Sequence, residues 1–199
     1  MDLGLLYSGG KDSTLAALLL DDFYDVTLVT AHFGVTEDWQ HARETAETVD
    51  FPFETVELDD DAAATAVEQM LEDGYPRNGI QQVHQHALET VADMGFDAVA
   101  DGTRRDDRVP TISRAQAQSL EDRYDVDYIV PLAGFGRGAV DRLVDATLAV
   151  ESGPSEEVRK ADYEAELRAL LARDHGESAV EEVFPDHEQT YVTGFLADR

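Results

Sequence analysis

The chain contains no cysteine, only two lysines (Lys11 and Lys160), one tryptophan and no long apolar run among its 199 residues. Without cysteine, it has no disulfide, no zinc–thiolate centre and no persulfide-carrying nucleophile of its own. No apolar segment approaches the roughly 20 residues of a membrane-spanning helix. Met1-Asp2 leads straight into an apolar strand pattern with no basic stretch ahead of it, so the expectation is a soluble cytoplasmic protein. Cations are scarce: 15 Lys and Arg stand against 43 Asp and Glu, for a formal net charge of −28. That balance opposes unassisted binding to a phosphate backbone. It does not describe a disordered acidic chain, because 43% of the residues are hydrophobic and regularly spaced. A uniformly acidic surface over a normal core reads as adaptation to high salt, which screens the self-repulsion.

What is present is concentrated near the start. A short apolar strand runs into Ser8-Gly9-Gly10-Lys11-Asp12-Ser13, and a helical pattern follows to Leu20. Backbone N–H groups and the positive end of the helix dipole meet there, which suits a phosphate-like anion. Gly9 and Gly10 admit close backbone approach, Ser8 and Ser13 offer hydroxyls, and Lys11 adds a charge. A Walker A loop needs a glycine where Leu5 stands and a hydroxyl residue where Asp12 stands, so that reading fails twice.

These six residues, after an N-terminal strand, resemble the PP-loop of the N-type ATP pyrophosphatases, a superfamily that includes GMP synthetase, NAD synthetase and tRNA-thiolating enzymes. The resemblance implies a Rossmann-like nucleotide-binding fold of the HUP type. It implies Mg²⁺-ATP held by its β,γ-phosphates, cleavage between the α- and β-phosphates, and transfer of AMP to an acceptor.

Apolar runs alternate with helical patterns along the chain. Strands are expected near Leu3–Tyr7, Asp25–Phe33, Phe53–Leu58, Ala98–Ala100 and Tyr128–Leu132, with helices near 13–20, 38–49, 61–73, 80–94, 112–124 and 139–150. This alternation predicts an α/β fold: a doubly wound, mostly parallel five-stranded sheet covered on both faces. Residues 1–150 then form the nucleotide-binding domain. Residues 151–199 form an extension packed on it, with a linker at 151–155, a helix at 156–173 and an edge strand at Glu188–Leu196.

A second segment, Asp101-Gly102-Thr103-Arg104-Arg105-Asp106-Asp107-Arg108, follows the fourth strand. Arg104, Arg105, Arg108 and Arg114 place four of the 15 basic residues within eleven positions, which suggests an anion site. Gly102 and Thr103 are candidate nucleotide contacts, Lys11, Asp12 and Arg104 candidate catalytic residues, and Asp12 and Asp107 candidate Mg²⁺ ligands. The segment resembles the family's second nucleotide-contacting loop. Ala31, His32 and Phe33 end the second strand, where the family's fold implies that adenine lies; His32 reads as a partly buried histidine. Gly134-x-Gly136-x-x-Ala139 fits the dinucleotide pattern formally, but it follows the fifth strand and lacks the downstream acid. It reads as a glycine-rich helix entry that carries Arg137 towards the pyrophosphate or the substrate, and Lys160 is a further cation that could reach in. His84 and His86, two apart on a helix, cannot share a metal and carry no expected role.

The expected function is therefore an ATP-dependent adenylating enzyme with ATP and Mg²⁺ as cofactors and tRNA or a small metabolite as acceptor. A partner protein or free donor would supply sulfur or ammonia, and the protein is expected to be a homo-oligomer. The alternative is a non-catalytic ATP- or AMP-binding module of the universal-stress-protein type, although those carry their phosphate-binding glycines late in the chain.

Overall fold

The computed structural model describes residues 1–154, 158–159 and 161–196. Five strands, β1 (Asp2–Leu6), β2 (Asp25–His32), β3 (Phe53–Glu57), β4 (Ala98–Ala100) and β5 (Asp127–Ile129), form an all-parallel sheet in the order β3-β2-β1-β4-β5. β1 sits at the centre, with Leu3 opposite Val26 on one side and Ala98 on the other. Strands buried on both faces need continuous apolar runs, and β1 and β4 supply them. Leu3, Leu5 and Leu28 are wholly buried, each contributing about 1.5–3 kcal/mol by leaving water.

The helices divide by face. α1 (Lys11–Leu20), α2 (Trp39–Thr48) and α6 (Arg137–Thr147) pack on one side, where Leu15, Ala42, Ala46, Val140 and Val144 join the core. α3 (Asp60–Asp73), α4 (Arg77–Ala92), α5 (Arg114–Tyr124), α7 (Tyr163–His175) and α8 (Glu177–Val183) pack on the other through Met70, Leu88, Val91, Leu120 and Leu167. The acidic composition is put to local use. Asp59 caps α3 by accepting from Asp61 N–H at 2.9 Å, and Asp162 caps α7 through Ala165 N–H at 3.1 Å.

The chain reverses direction between β1 and β4, and helices on opposite faces start from their carboxyl ends. That is the place where open α/β sheets bind ligands.

The fold class matches the sequence expectation, with every strand of the main sheet parallel. The C-terminal quarter differs. The expected helix 139–150 stops at Thr147, because Leu148–Val150 open a strand, β6 (Leu148–Pro154), which takes in most of the expected linker. The strand at the end, β7 (Glu188–Phe195), is not an edge of the main sheet; it pairs antiparallel with β6 in a separate two-stranded sheet. The β-branched and alternating pattern of Glu188–Phe195 has its pairing edge in β6, whose own signal was masked by Ser152-Gly153-Pro154. Of the expected helix at 156–173, residues 156, 157 and 160 lie outside the described residues, and α7 starts at Tyr163, where Asp162 provides the cap. Lys160 lies outside the described residues. Near Leu132 the chain forms a 3₁₀ turn (Pro131–Gly134) rather than extending β5.

Candidate nucleotide site

Between β1 and α1 the chain turns at Gly9, whose φ of +76° is the left-handed conformation that glycine adopts without a Cβ penalty. Gly10 is the N-cap of α1 and offers no side-chain oxygen, so the amides of the first turn keep no capping acceptor. Their dipole and N–H groups open onto a cavity of about 310 Å³ lined by Tyr7, Ser8, Asp12, Ser13 and Gly102 among others. Ser13 and Thr14 hydroxyls donate to the Gly10 carbonyl at 3.2 and 2.9 Å, and Tyr7 OH lies 3.0 Å from Thr14 Oγ1. Burial pushes the Tyr7 phenol above its ordinary range, so it stays a neutral hydrogen-bonding group.

The two ligand-facing loops touch. A Cβ on Gly102 would lie 2.7 Å from both N and Cα of Ser13, so the turn after β4 can press against α1 only as glycine. Charges alternate across the contact. Lys11 Nζ is 2.6 Å from Asp12 Oδ1 and 3.9 Å from Asp141 on α6. Arg104 Nη1 is 3.6 Å from Asp12 Oδ2, and its Nη2 is 2.7 Å from Asp107 Oδ1. Asp107 also accepts from Arg104 N–H at 2.7 Å. Burial alone would lower the Arg104 pKa, but its hydrogen bond to Asp107 and the charges of Asp12, Asp107 and Asp106 outweigh it and hold the guanidinium charged.

Of the sequence candidates, Ser8, Asp12, Ser13, Ala31, Gly102, Thr103 and Asp107 line the cavity. Gly9, Gly10 and Lys11 lie in the same β1–α1 turn but are not among the cavity's lining residues, and Arg104, also outside the lining, bridges Asp12 to Asp107. His32 and Phe33 are not among its lining residues: His32 stacks on Trp39 with ring centroids 5.8 Å apart, and Phe33 is buried in the core. Arg137 is the first residue of α6 and is likewise absent from the lining. Among the described residues no group of three or more acidic or histidine side chains is arranged to hold a metal. Asp12 and Asp107, sharing Arg104, still suit Mg²⁺, which takes one or two carboxylates and fills its remaining positions with water and phosphate oxygens.

Two features escaped the sequence reading. At the cavity floor Asp101, buried with 1% exposure, accepts from Thr103 N–H at 2.8 Å, Thr103 Oγ1 at 2.6 Å and Tyr128 OH at 2.7 Å. His84 Nε2 lies 3.1 Å from the same carboxylate, and His84 Nδ1 is 2.5 Å from Tyr163 OH. Burial alone would raise the Asp101 pKa, but the hydrogen bond and charge of His84, with Thr103 and Tyr128, hold it below the usual carboxylate range. Desolvation first, and then the nearby carboxylate, push the Tyr128 and Tyr163 phenols upward, so both remain protonated donors. The missed signal was spacing: Ile80, His84 and Leu88 recur every four residues, which aims the histidine inward on α4.

Glu166 of α7, 3% exposed, is the second. Its carboxylate accepts from the backbone N–H groups of Phe33, Val35 and Thr36 at 2.7, 2.9 and 3.3 Å, fixing the turn after β2. Glu166→Gln turns one acceptor oxygen into a donor that faces amide donors, and is expected to cost about 2 kcal/mol in urea unfolding. A loss below about 0.5 kcal/mol would show that the three bonds carry little of the turn's stability. From the far end of the chain, Val192 N–H donates to the Gly9 carbonyl at 3.1 Å, and Tyr191 OH donates to His41 O at 3.0 Å, so β7 clasps the glycine turn.

A family model described as a family of unknown function (DUF7411) matches residues 1–194. Uncharacterized protein MJ0690 of Methanocaldococcus jannaschii is 42% identical over 195 residues, covering 98% of this chain and 96% of that protein. The crystal structure of a predicted subunit of tRNA methyltransferase from M. jannaschii superposes with a TM-score of 0.91 at 40% identity, covering all of both chains. The U34-tRNA thiolase NcsA of Methanococcus maripaludis, which carries a [4Fe-4S] cluster, aligns with a TM-score of 0.53 at 19% identity over 73% of this chain and 56% of that one, a likeness of fold.

Proposed function

This chain belongs to the DUF7411 family, and we propose that it is an ATP pyrophosphatase that adenylates an acceptor in RNA modification. The observation that carries the reading is the uncapped start of α1, where Ser8, Asp12 and Ser13 line a cavity at the sheet's switch point and Arg104 joins Asp12 to Asp107. The 40% identical M. jannaschii structure, described as a predicted subunit of tRNA methyltransferase, supports an RNA acceptor.

In this reading the β,γ-diphosphate of ATP lies on the Ser8–Ser13 turn. The amides of α1, the Ser8 and Ser13 hydroxyls and Lys11 are fixed donors towards charge that grows on the departing pyrophosphate. Mg²⁺, when bound by Asp12 and Asp107, would neutralise phosphate oxygens during in-line attack at the α-phosphorus. Arg104 holds both carboxylates in register and keeps a positive charge beside the triphosphate. The buried Asp101–His84–Tyr163 chain sets the Tyr163 hydroxyl at the cavity wall, where its oxygen can orient a donor group of the nucleotide or acceptor. With no cysteine in the chain, any sulfur or amine nucleophile that displaces AMP comes from outside it.

The test is product analysis with labelled Mg-ATP in high-salt buffer, with fractionated RNA as acceptor. AMP and pyrophosphate are expected, and Lys11→Ala is expected to slow their release about 100-fold, the scale of losing one preorganised charge donor. ADP and phosphate as products, or release unchanged in Lys11→Ala, would count against the assignment. Tight nucleotide binding without turnover on any acceptor would favour a binding module.

A further inference from the structure

We propose that an arc of arginines at the mouth of the nucleotide cavity seats the phosphodiester backbone of the RNA acceptor, with Arg77 and Arg108 forming its main phosphate subsite. The inference rests on the reading of the acceptor as RNA and adds where that RNA lies. A second concavity of about 400 Å³ adjoins the nucleotide cavity, sharing Val109 with it, between the start of α4, the loop before α5 and the start of α5. Arg77 and Arg108 line it, and no acidic residue does. Three other concavities of this surface each include four or five carboxylates, as a chain with 43 acidic residues in 199 would lead one to expect.

The neutral groups of this groove are already committed: Asn78 Nδ2 donates to Asp73 Oδ2 at 2.8 Å, and the others bond among themselves. Gln81 Nε2 donates to Thr111 O at 2.8 Å, Thr111 N–H returns a bond to Gln81 Oε1 at 2.9 Å, and Ser113 and Gln116 close a capping box. That leaves the two guanidinium groups as the uncommitted donors.

The same segregation extends around the strand ends. Arg104, Arg123, Arg159, Arg168 and Arg173 each have a carboxylate within 4.0 Å. Among the described residues Arg43, Arg77, Arg105, Arg108, Arg114, Arg137 and Arg142 have none, and of these Arg43 lies over the Trp39 ring instead. Arg77, Arg114 and Arg137 are the first residues of α4, α5 and α6, all of which start at the carboxyl ends of the strands. Arg105 reaches from the loop between them to within 3.2 Å of a Cβ built on Gly136, at the entry to α6. Guanidinium groups left free of carboxylates on so acidic a chain, and set over three helix starts, match a ligand whose phosphates recur. A single small phosphate would need only one such pair. The local arc also resolves the conflict between a net charge of −28 and an RNA acceptor, because the contact is confined to a few phosphates.

The experiment reads fluorescence anisotropy of a 5′-labelled single-stranded RNA 12-mer across a KCl series. It compares the wild type, Arg77→Gln/Arg108→Gln, and Arg159→Gln/Arg173→Gln as a control of equal charge change. Binding by the groove variant is expected to fall about tenfold or more, with the slope of log K against log salt shallower by about 1.4, two single-strand phosphates at about 0.7 each. The control is expected to bind like the wild type. RNA binding unchanged in the groove variant, or no RNA binding by the wild type, overturns the proposal. So does inorganic phosphate binding that needs both arginines while RNA fails to bind. Binding of the fluorescent analogue mant-ATP, measured on the same samples, separates the two readings. RNA binding that needs both arginines supports the groove even where the wild type ignores mant-ATP, a result that overturns the nucleotide assignment instead.

Discussion

Asp101→Ala is expected to lower the unfolding free energy by about 4 kcal/mol, the scale of breaking a buried, hydrogen-bonded charge network from one side. The substitution strands His84 Nε2, Tyr128 OH, and the Thr103 amide and hydroxyl, four donors that converge on a carboxylate with 1% exposure. Tyr163 loses its indirect anchor as well, because His84 holds its hydroxyl. The same carboxylate makes stability depend on pH with a definite sign. Its folded pKa lies below the usual carboxylate value. Its contribution is therefore fully present above the unfolded aspartate value of about 4 and disappears as pH falls through the lower folded value. Urea titrations of wild type and Asp101→Asn at a series of pH values check both points: the wild type is expected to lose the larger amount of stability below about pH 4. A difference between the two proteins that stays constant to low pH would mean that another acid governs the transition.

Gly102→Ala is expected to cost about 3 kcal/mol and to weaken mant-ATP binding with it. The added Cβ would meet Ser13 N and Cα at 2.7 Å, and both are backbone atoms of the helix whose amides face the cavity. A flexible side chain could swing aside from such a contact, whereas here α1 or the turn after β4 must move. Differential scanning calorimetry and mant-ATP titration together read the result. Wild-type stability and affinity in Gly102→Ala would show that the two loops can separate freely and that their contact is not part of the site.

Much of this architecture was legible in the residues. Leu3 to Leu6 announce a central strand because nothing polar interrupts them, and Ser8 to Ser13 announce the turn into a helix because two glycines and two hydroxyl residues break the apolar run there. The alternation of strands and helices carried the parallel sheet. What failed to show was long-range pairing. Leu148–Val150 continue a helical pattern locally, and only β7, some 40 residues on, turns them into a strand. Glu166 reads as one more acid on a charged helix until three amides 130 or more residues away surround it. His84 reads as an isolated histidine until Asp101 and Tyr163 close on its two nitrogens. Each of these roles depends on partners that no local window contains.

The clasp of Val192 on Gly9 has a consequence for biogenesis. The glycine turn between β1 and α1 is braced by a strand made more than 180 residues later, so on the ribosome the Gly9 carbonyl waits for its partner until β7 has emerged and folded back.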